Sequence, residues 1–299
     1  MFKKFGVVTN VWAKRMDQGD LFVDLAQQFG QNGFSQFEVR DGDYLCQSPF
    51  GNFLEQLKVA MTTYSTEQWK QICQTVWQPT GKKLTLVAEH QKLFQLFEDF
   101  IARMQPFQLS YAISHSWLSQ PSDFVADNDF IQKAKRLSYL LCPQSPRLRL
   151  VDLTTPLLID FEVAQNNINR YINLAPQAIL AVENAIQPAT DLLELVEQTK
   201  AVLTYDEANS YRSDGSVKDD LADFWKRILM QDLTSVHFKQ KTADGVLTEL
   251  KDGWVDFKTI LRHLKQGNYQ GDLLLENMPS DDPLTDAINS RRYLLEFFD

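Results

Sequence analysis

Four short apolar runs in the second half of the chain each end on a side chain able to bind a divalent cation. They read Ile179-Leu-Ala-Val-Glu183, Val202-Leu-Thr-Tyr-Asp206, Thr234-Ser-Val-His237 and Leu273-Leu-Leu-Glu276, and turn-forming Gly, Asn, Asp and Ser residues follow them. Runs of this kind are expected as buried parallel strands. A carboxylate or imidazole at the carboxyl end of such a strand lies where α/β folds assemble their chemistry. The separations of 23, 31 and 39 residues fit single strand-helix-strand steps with one enlarged loop, so consecutive strands would present the four groups side by side. Three carboxylates in one barrel mouth repel: at ~5 Å and an effective dielectric of about 20, each pair costs on the order of 3 kcal/mol. A cation between them is therefore expected. Three carboxylates and an imidazole suit one divalent ion of hard to borderline character, Mn²⁺, Mg²⁺, Co²⁺ or Zn²⁺.

Positioning these groups is a task for the rest of the chain, in which strand-like and helix-like segments alternate throughout. The first unit is Phe5-Gly-Val-Val-Thr-Asn10, then a helical face of Leu21, Phe22, Leu25, Ala26 and Phe29, a stop at Gly30 and Gly33, and Gln36-Phe-Glu-Val-Arg40. Later, Asp191 and Glu194 have capping-box spacing, Leu221, Phe224, Trp225, Ile228 and Leu229 form a helical stripe, and a last helix is expected over 283–298. Strand candidates fall at 6–10, 36–40, 84–88, 108–113, 148–152, 179–183, 202–206, 234–239 and 272–276. Leu84 to Ala88 is discounted, because Leu93, Phe94, Phe97, Phe100, Ile101 and Met104 continue directly as a helix leading into 108–113. Eight strands remain, and a single (β/α)₈ TIM barrel over 1–299 is expected, with an enlarged region after the second strand. That region carries Tyr44, Phe50, Phe53, Tyr64, Trp69 and Trp77 and is expected to pack on the barrel or on a partner subunit.

Composition narrows the classes of function. The 299 residues include 44% hydrophobic side chains, enough for a large core, and the net charge of −9 argues against a binder of nucleic-acid phosphates. No stretch resembles a signal peptide or membrane span, and Cys46, Cys73 and Cys142 lie in no metal-ligand or disulfide-framework spacing. A cytoplasmic protein with a small-molecule substrate is expected, with no nucleic-acid or membrane partner.

Further candidates lie on the first strands. Glu38 and Arg40 end the second strand, where an acid and a base either bind substrate or pair with each other. Trp12, with Lys14 and Arg15, follows the first strand, where an aromatic face and cations suit a polyol or phosphorylated ligand. His115 follows the third strand as a candidate pocket residue, His90 reads as structural, and His263, on a helix beside Lys265, reads as solvent-exposed.

Taken in order, Phe37-Glu-Val-Arg40, Leu180-Ala-Val-Glu-Asn184, Tyr205-Asp-Glu-Ala-Asn209, Val236-His-Phe-Lys239 and Tyr269-Gln-Gly-Asp-Leu-Leu-Leu-Glu276 resemble the xylose isomerase-like TIM-barrel superfamily. That superfamily contains sugar isomerases and epimerases and the endonuclease IV type of DNA-repair enzyme, and the resemblance spans nearly the whole chain. It implies that Glu183, Asp206, His237 and Glu276 bind the metal and that Glu183 and Glu276 also transfer protons. It implies substrate contacts at Asn209 and Lys239, and homo-oligomers are common among its members. With only four histidines, the chain departs from the histidine-rich three-zinc cluster of the DNA-repair branch.

The implied reaction is isomerisation or epimerisation of a sugar, sugar phosphate or related keto-polyol by carboxylate-mediated proton transfer through a metal-stabilised enediolate. The alternatives are a dehydratase or lyase of the same superfamily, in which the enediolate expels a β-hydroxyl, and a non-catalytic metal- or sugar-binding barrel.

Overall fold

Strand residues of the chain divide into an apolar and a polar set with period two, and the fold follows from which set faces which way. The structure, a computed structural model, describes residues 4–40, 48–77, 86–114, 118, 128–143, 145–153, 160–174, 178–242, 244 and 246–297. Its strands are β1 (Phe5–Val8), β2 (Phe34–Arg40), β3 (Gln108–Ser114), β4 (Arg147–Val151), β5 (Ile179–Glu183), β6 (Val202–Asp206), β7 (Leu233–Phe238), the short β8 (Gln240–Lys241) and β9 (Leu247–Thr248), and β10 (Asp272–Leu275). Strands β1 to β7 and β10 pair in parallel and close into an eight-stranded barrel, while β8 and β9 form a separate antiparallel hairpin. All eight expected strands are present, each within two residues of the expected ends. Of the discounted candidate, 84 and 85 lie outside the described residues, and Ala88–His90 is a 3₁₀ turn.

The helices are α1 (Ala13–Asp17), α2 (Phe22–Gln31), α3 (Pro49–Met61), α4 (Thr66–Trp77), α5 (Gln91–Met104), α6 (Asn128–Leu141), α7 (Phe161–Leu174), α8 (Ala189–Gln198), α9 (Leu221–Arg227), α10 (Phe257–Gln266) and α11 (Pro283–Leu295). Their starts are chemically marked. Ser48, Asp220, Asp256 and Asp282 each accept a hydrogen bond from a backbone N–H of the first turn, and Pro49 and Pro283 open α3 and α11. The expected capping box at Asp191 is not used. Helix α8 begins at Ala189, and Asp219 accepts from the Thr190 N–H at 3.1 Å instead. Helix α9 ends at Arg227, which leaves Leu229 exposed rather than on the expected stripe.

Apolar residues of the strands, among them Phe37, Val39, Leu148, Leu150, Val182, Tyr205, Val236 and Leu273, are buried under this ring of helices. The alternate set includes charged residues that meet across the barrel: Arg147 of β4 pairs with Asp272 of β10 on the opposite side of the ring, and Gln36 donates to Asp272 at 2.5 Å. Buried charge thus occupies space that bulky aliphatic layers usually fill in such barrels. Gly6 is required here, since a Cβ at this position would lie 2.2 Å from the Gln36 carbonyl oxygen.

Three helices, α3 to α5, lie between β2 and β3, and their aromatic residues pack against other helices of the same chain. Phe50 stacks on Phe22 at 4.0 Å and on Phe100 at 5.5 Å. The indoles of Trp69 and Trp77 donate to the Arg136 and Leu140 carbonyls of α6. Tyr44 and Cys46 lie outside the described residues; Cys73 and Cys142 are free thiols. Among the described residues no helix is long and apolar enough to cross a membrane.

Candidate active site

The carboxyl ends of β5, β6, β7 and β10 bring together the four ligand candidates. One ligand atom from each of Glu183, Asp206, His237 and Glu276 lies within 4.8 Å of the other three, and all four residues are buried. Strand pairing sets this convergence: Asp206 is directly opposite His237 in the β6–β7 register. Asn184, next to Glu183, locks the β5 end to β6 by donating to the Asp206 carbonyl and accepting from the Asp206 N–H, both at 2.8 Å. Asp206 Oδ1 also accepts from the Ala208 N–H at 3.0 Å, which directs its other oxygen inward.

The imidazole of His237 lies among the acids. Its Nδ1 is 3.2 Å from Glu276 Oε2 and 3.6 Å from Glu183 Oε1, and its Nε2 is 3.3 Å from Glu38 Oε1. Glu38 and Arg40 therefore do not pair with each other. They face the barrel axis from one strand and find partners around the ring: Arg40 reaches Glu276 Oε1 at 3.3 Å, and Glu38 binds Arg149 at 2.8 Å. Glu38 is 1% exposed, and its ion-pair partners among the described residues are His237 and Arg149.

Arg149, in mid-strand on β4 and not among the strand-end candidates, also belongs to the cluster. Its guanidinium, 3% exposed, bridges Glu38 and Glu183 from below. The signal was present in Arg147-Leu-Arg149-Leu, whose alternation places both arginines on one face of β4. Asn10 was also overlooked; it donates to Glu276 Oε1 at 3.2 Å. Of the expected substrate contacts, Asn209 lies at the rim, 3.5 Å from Glu183 Oε1. Lys239 projects its ammonium to 2.5 Å from Asp206 Oδ2 and 3.3 Å from Glu276 Oε2.

Other expectations are corrected. Trp12 is fully buried, its ring 5.1–5.3 Å from those of Phe22, Phe29 and Phe37, so it belongs to the packing between α2 and β2 and not to the sugar-facing mouth. Lys14 and Arg15 are engaged with Asp281 and Asp20. His263 is not simply solvated: its ring stacks on Trp225 at 4.9 Å. His90 has a structural partner in the Tyr64 hydroxyl, 3.1 Å away. His115 lies outside the described residues.

The electrostatics of the cluster set its protonation. Burial pushes every carboxylate up, but the Arg149 guanidinium and His237 outweigh it at Glu183 and hold that carboxyl below its usual range. Burial is likewise overcome at Glu276 by Lys239, His237 and Arg40, which hold it well below. Asp206 is the exception. Its burial and the charges of Glu276 and Glu183 exceed the pull of Lys239, so its pKa is raised. His237 is raised well above the usual histidine range, because Glu38 and the hydrogen-bonded carboxylates exceed the opposing effect of burial.

Glu38 provides a test of this balance. Despite burial, Arg149 and His237 bring it from 4.5 to about 2. Because the folded pKa is the lower one, ionised Glu38 contributes its full stabilisation, about 3 kcal/mol, above the unfolded value and loses it as pH falls through the folded value. Denaturant titrations of chelated protein at pH 6 and pH 3 should show the advantage of the wild type over Glu38→Gln shrinking by about 2 kcal/mol. A constant difference would contradict the assigned pairing.

The donor set fits a divalent ion: hard carboxylate oxygens and one imidazole nitrogen converge with a separation that a single cation can span. No family model and no curated protein matches the sequence. Solved structures do match, over nearly their whole lengths. A xylose isomerase-like TIM barrel protein from Mycobacterium smegmatis in complex with magnesium is 14% identical, with 98% of this chain and 95% of that one covered and a TM-score of 0.60. A sugar phosphate isomerase/epimerase from Parabacteroides distasonis is 13% identical, with 99% and 96% covered and a TM-score of 0.59. A D-psicose 3-epimerase from Clostridium cellulolyticum, solved with D-tagatose, is 12% identical, with both chains fully covered and a TM-score of 0.57. The chain shares the closed eight-stranded parallel α/β barrel fold of these structures, and its structural neighbours include sugar isomerases and epimerases.

Proposed function

We propose that this chain is a divalent-metal-dependent isomerase or epimerase of a sugar, sugar phosphate or related keto-polyol. The observation that carries the reading is the convergence of Glu183, Asp206, His237 and Glu276 at one barrel mouth, with two of the carboxyls held ionised. Those four residues would hold the ion, which when bound supplies Lewis acidity toward neighbouring oxygens of a hydroxy-carbonyl substrate.

The chain's own groups account for the proton transfers. Glu183 and Glu276 have pKa values below the usual carboxylate range, so at neutral pH each is ionised and has a lone pair to accept a proton from carbon, while the same neighbouring cations that ionise it lower its strength as a base. Each is oriented: Arg149 and Asn209 hold Glu183, while Asn10 and Arg40 hold Glu276. Return of the proton to the opposite face of the same carbon gives an epimer, and return to the adjacent carbon gives an aldose-ketose pair. Lys239, Arg40 and Asn209, the partly exposed members of the cluster, provide donors for substrate oxygens. A sugar presents such oxygens on successive carbons, which matches several donors arranged around one mouth.

Metal content measured by plasma mass spectrometry tests the site. After identical mild chelation and reloading, the wild type should retain close to one equivalent of Mn, Mg, Co or Zn, and His237→Ala much less. Equal and negligible metal in both proteins would remove the proposed mechanism.

A further inference from the structure

We propose that Lys239 is an internal counter-ion that competes with the divalent metal for Asp206 and Glu276, so that metal entry requires the ammonium to leave those oxygens. The inference rests on the ligand set of the preceding reading and adds a determinant of metal affinity within it. Its basis is geometric. Lys239 lies two residues beyond His237, and its Nζ reaches Asp206 Oδ2 at 2.5 Å and Glu276 Oε2 at 3.3 Å. Two of the four side chains that would coordinate the ion are therefore already engaged by a fixed positive charge.

The charge balance leads to the same conclusion. Glu38, Glu183, Asp206 and Glu276 carry four negative charges when ionised, and Arg149, Lys239 and Arg40 supply three positive charges before His237 is considered. A divalent ion added to this set would leave an excess of positive charge in a buried cluster. Departure of one fixed cation relieves that excess.

Lys239 is the cation able to leave. Arg149 is 3% exposed and bridges two acids through a rigid planar guanidinium, so moving it would uncover Glu38 as well as Glu183. Arg40, on the opposite side of Glu276, touches only that one ligand among the four. Lys239 has a flexible four-carbon stem, is 12% exposed and stands at the mouth, so its ammonium can withdraw toward water without disrupting β7. Once withdrawn, it is a donor available to a substrate oxygen, which connects metal entry to assembly of the substrate site.

Isothermal titration with Mn²⁺ of the wild type, Lys239→Met and Lys239→Arg tests the proposal, with thermal unfolding establishing that each variant is folded. Binding to Lys239→Met should be at least about 100-fold tighter than to the wild type, and Lys239→Arg, which keeps the charge, should remain within a few-fold of the wild type. Equal affinities for wild type and Lys239→Met overturn the inference and leave the metal-dependent reading in place. Failure of both proteins to bind Mn²⁺ overturns both. A second readout requires no variant: acetylation of Lys239 in the wild type, followed by peptide mass spectrometry, should accelerate when Mn²⁺ is added. An unchanged rate under saturating Mn²⁺ contradicts withdrawal of the ammonium.

Discussion

Replacing Arg149 with leucine is expected to lower the folding stability of the metal-free protein by about 3–5 kcal/mol, the usual cost of removing one partner from a buried ion pair. Arg149 is almost completely buried and serves two acids, Glu38 and Glu183, which no other arginine or lysine contacts among the described ion pairs. Its loss leaves both carboxylates in a low-dielectric interior with His237 as their one remaining ion-pair partner among the described residues. Urea denaturation at pH 7 in chelator measures the change. If the loss arises from uncompensated charge rather than from a cavity, combining Arg149→Leu with Glu38→Leu should restore a large part of it, because replacing a whole buried pair by apolar groups is often near neutral. Additive losses in the double variant would indicate instead that Arg149 acts through its packing.

The second large effect is on catalysis. Under the proposed mechanism, Glu276→Gln keeps the shape of the side chain but removes the base, and proton exchange at the substrate carbon should fall by about 10³-fold even at saturating metal. This substitution also separates catalysis from binding. Glutamine retains an oxygen for Asn10 and Arg40, so sugar binding should change much less than turnover. A turnover within a factor of ten of wild type would exclude Glu276 as a proton-transfer group.

The parts of this architecture that could be read from sequence were those encoded locally. Each barrel strand is a short apolar run bounded by turn residues, and Glu183, Asp206, His237 and Glu276 stand at or next to strand ends, where topology alone makes them converge. What remained hidden depends on relations around the ring. Arg149 lies in mid-strand, and its importance comes from Glu38 on β2 and Glu183 on β5, at sequence separations of 111 and 34 residues. Glu38 and Arg40 form a plausible pair along one strand. Both face the barrel axis, where stronger partners lie on other strands, and the local pairing is lost.

Trp12 illustrates the converse error. An aromatic residue just after the first strand matches the chemistry of a sugar platform, but the apolar pocket that takes it is built from Phe22, Phe29 and Phe37, residues separated in sequence and united only by packing. The surroundings of His263 are hidden from the local sequence for a similar reason, since its stacking partner Trp225 belongs to a different helix.

The most direct test of the central claim is deuterium incorporation into ketohexoses and their phosphates, followed by mass spectrometry, after incubation in D₂O with Mg²⁺-loaded protein. The proposed proton transfer requires a substrate that gains one deuteron at a carbon beside its carbonyl without losing water. A protein that binds both metal and sugar yet leaves every such C–H unexchanged would contradict it.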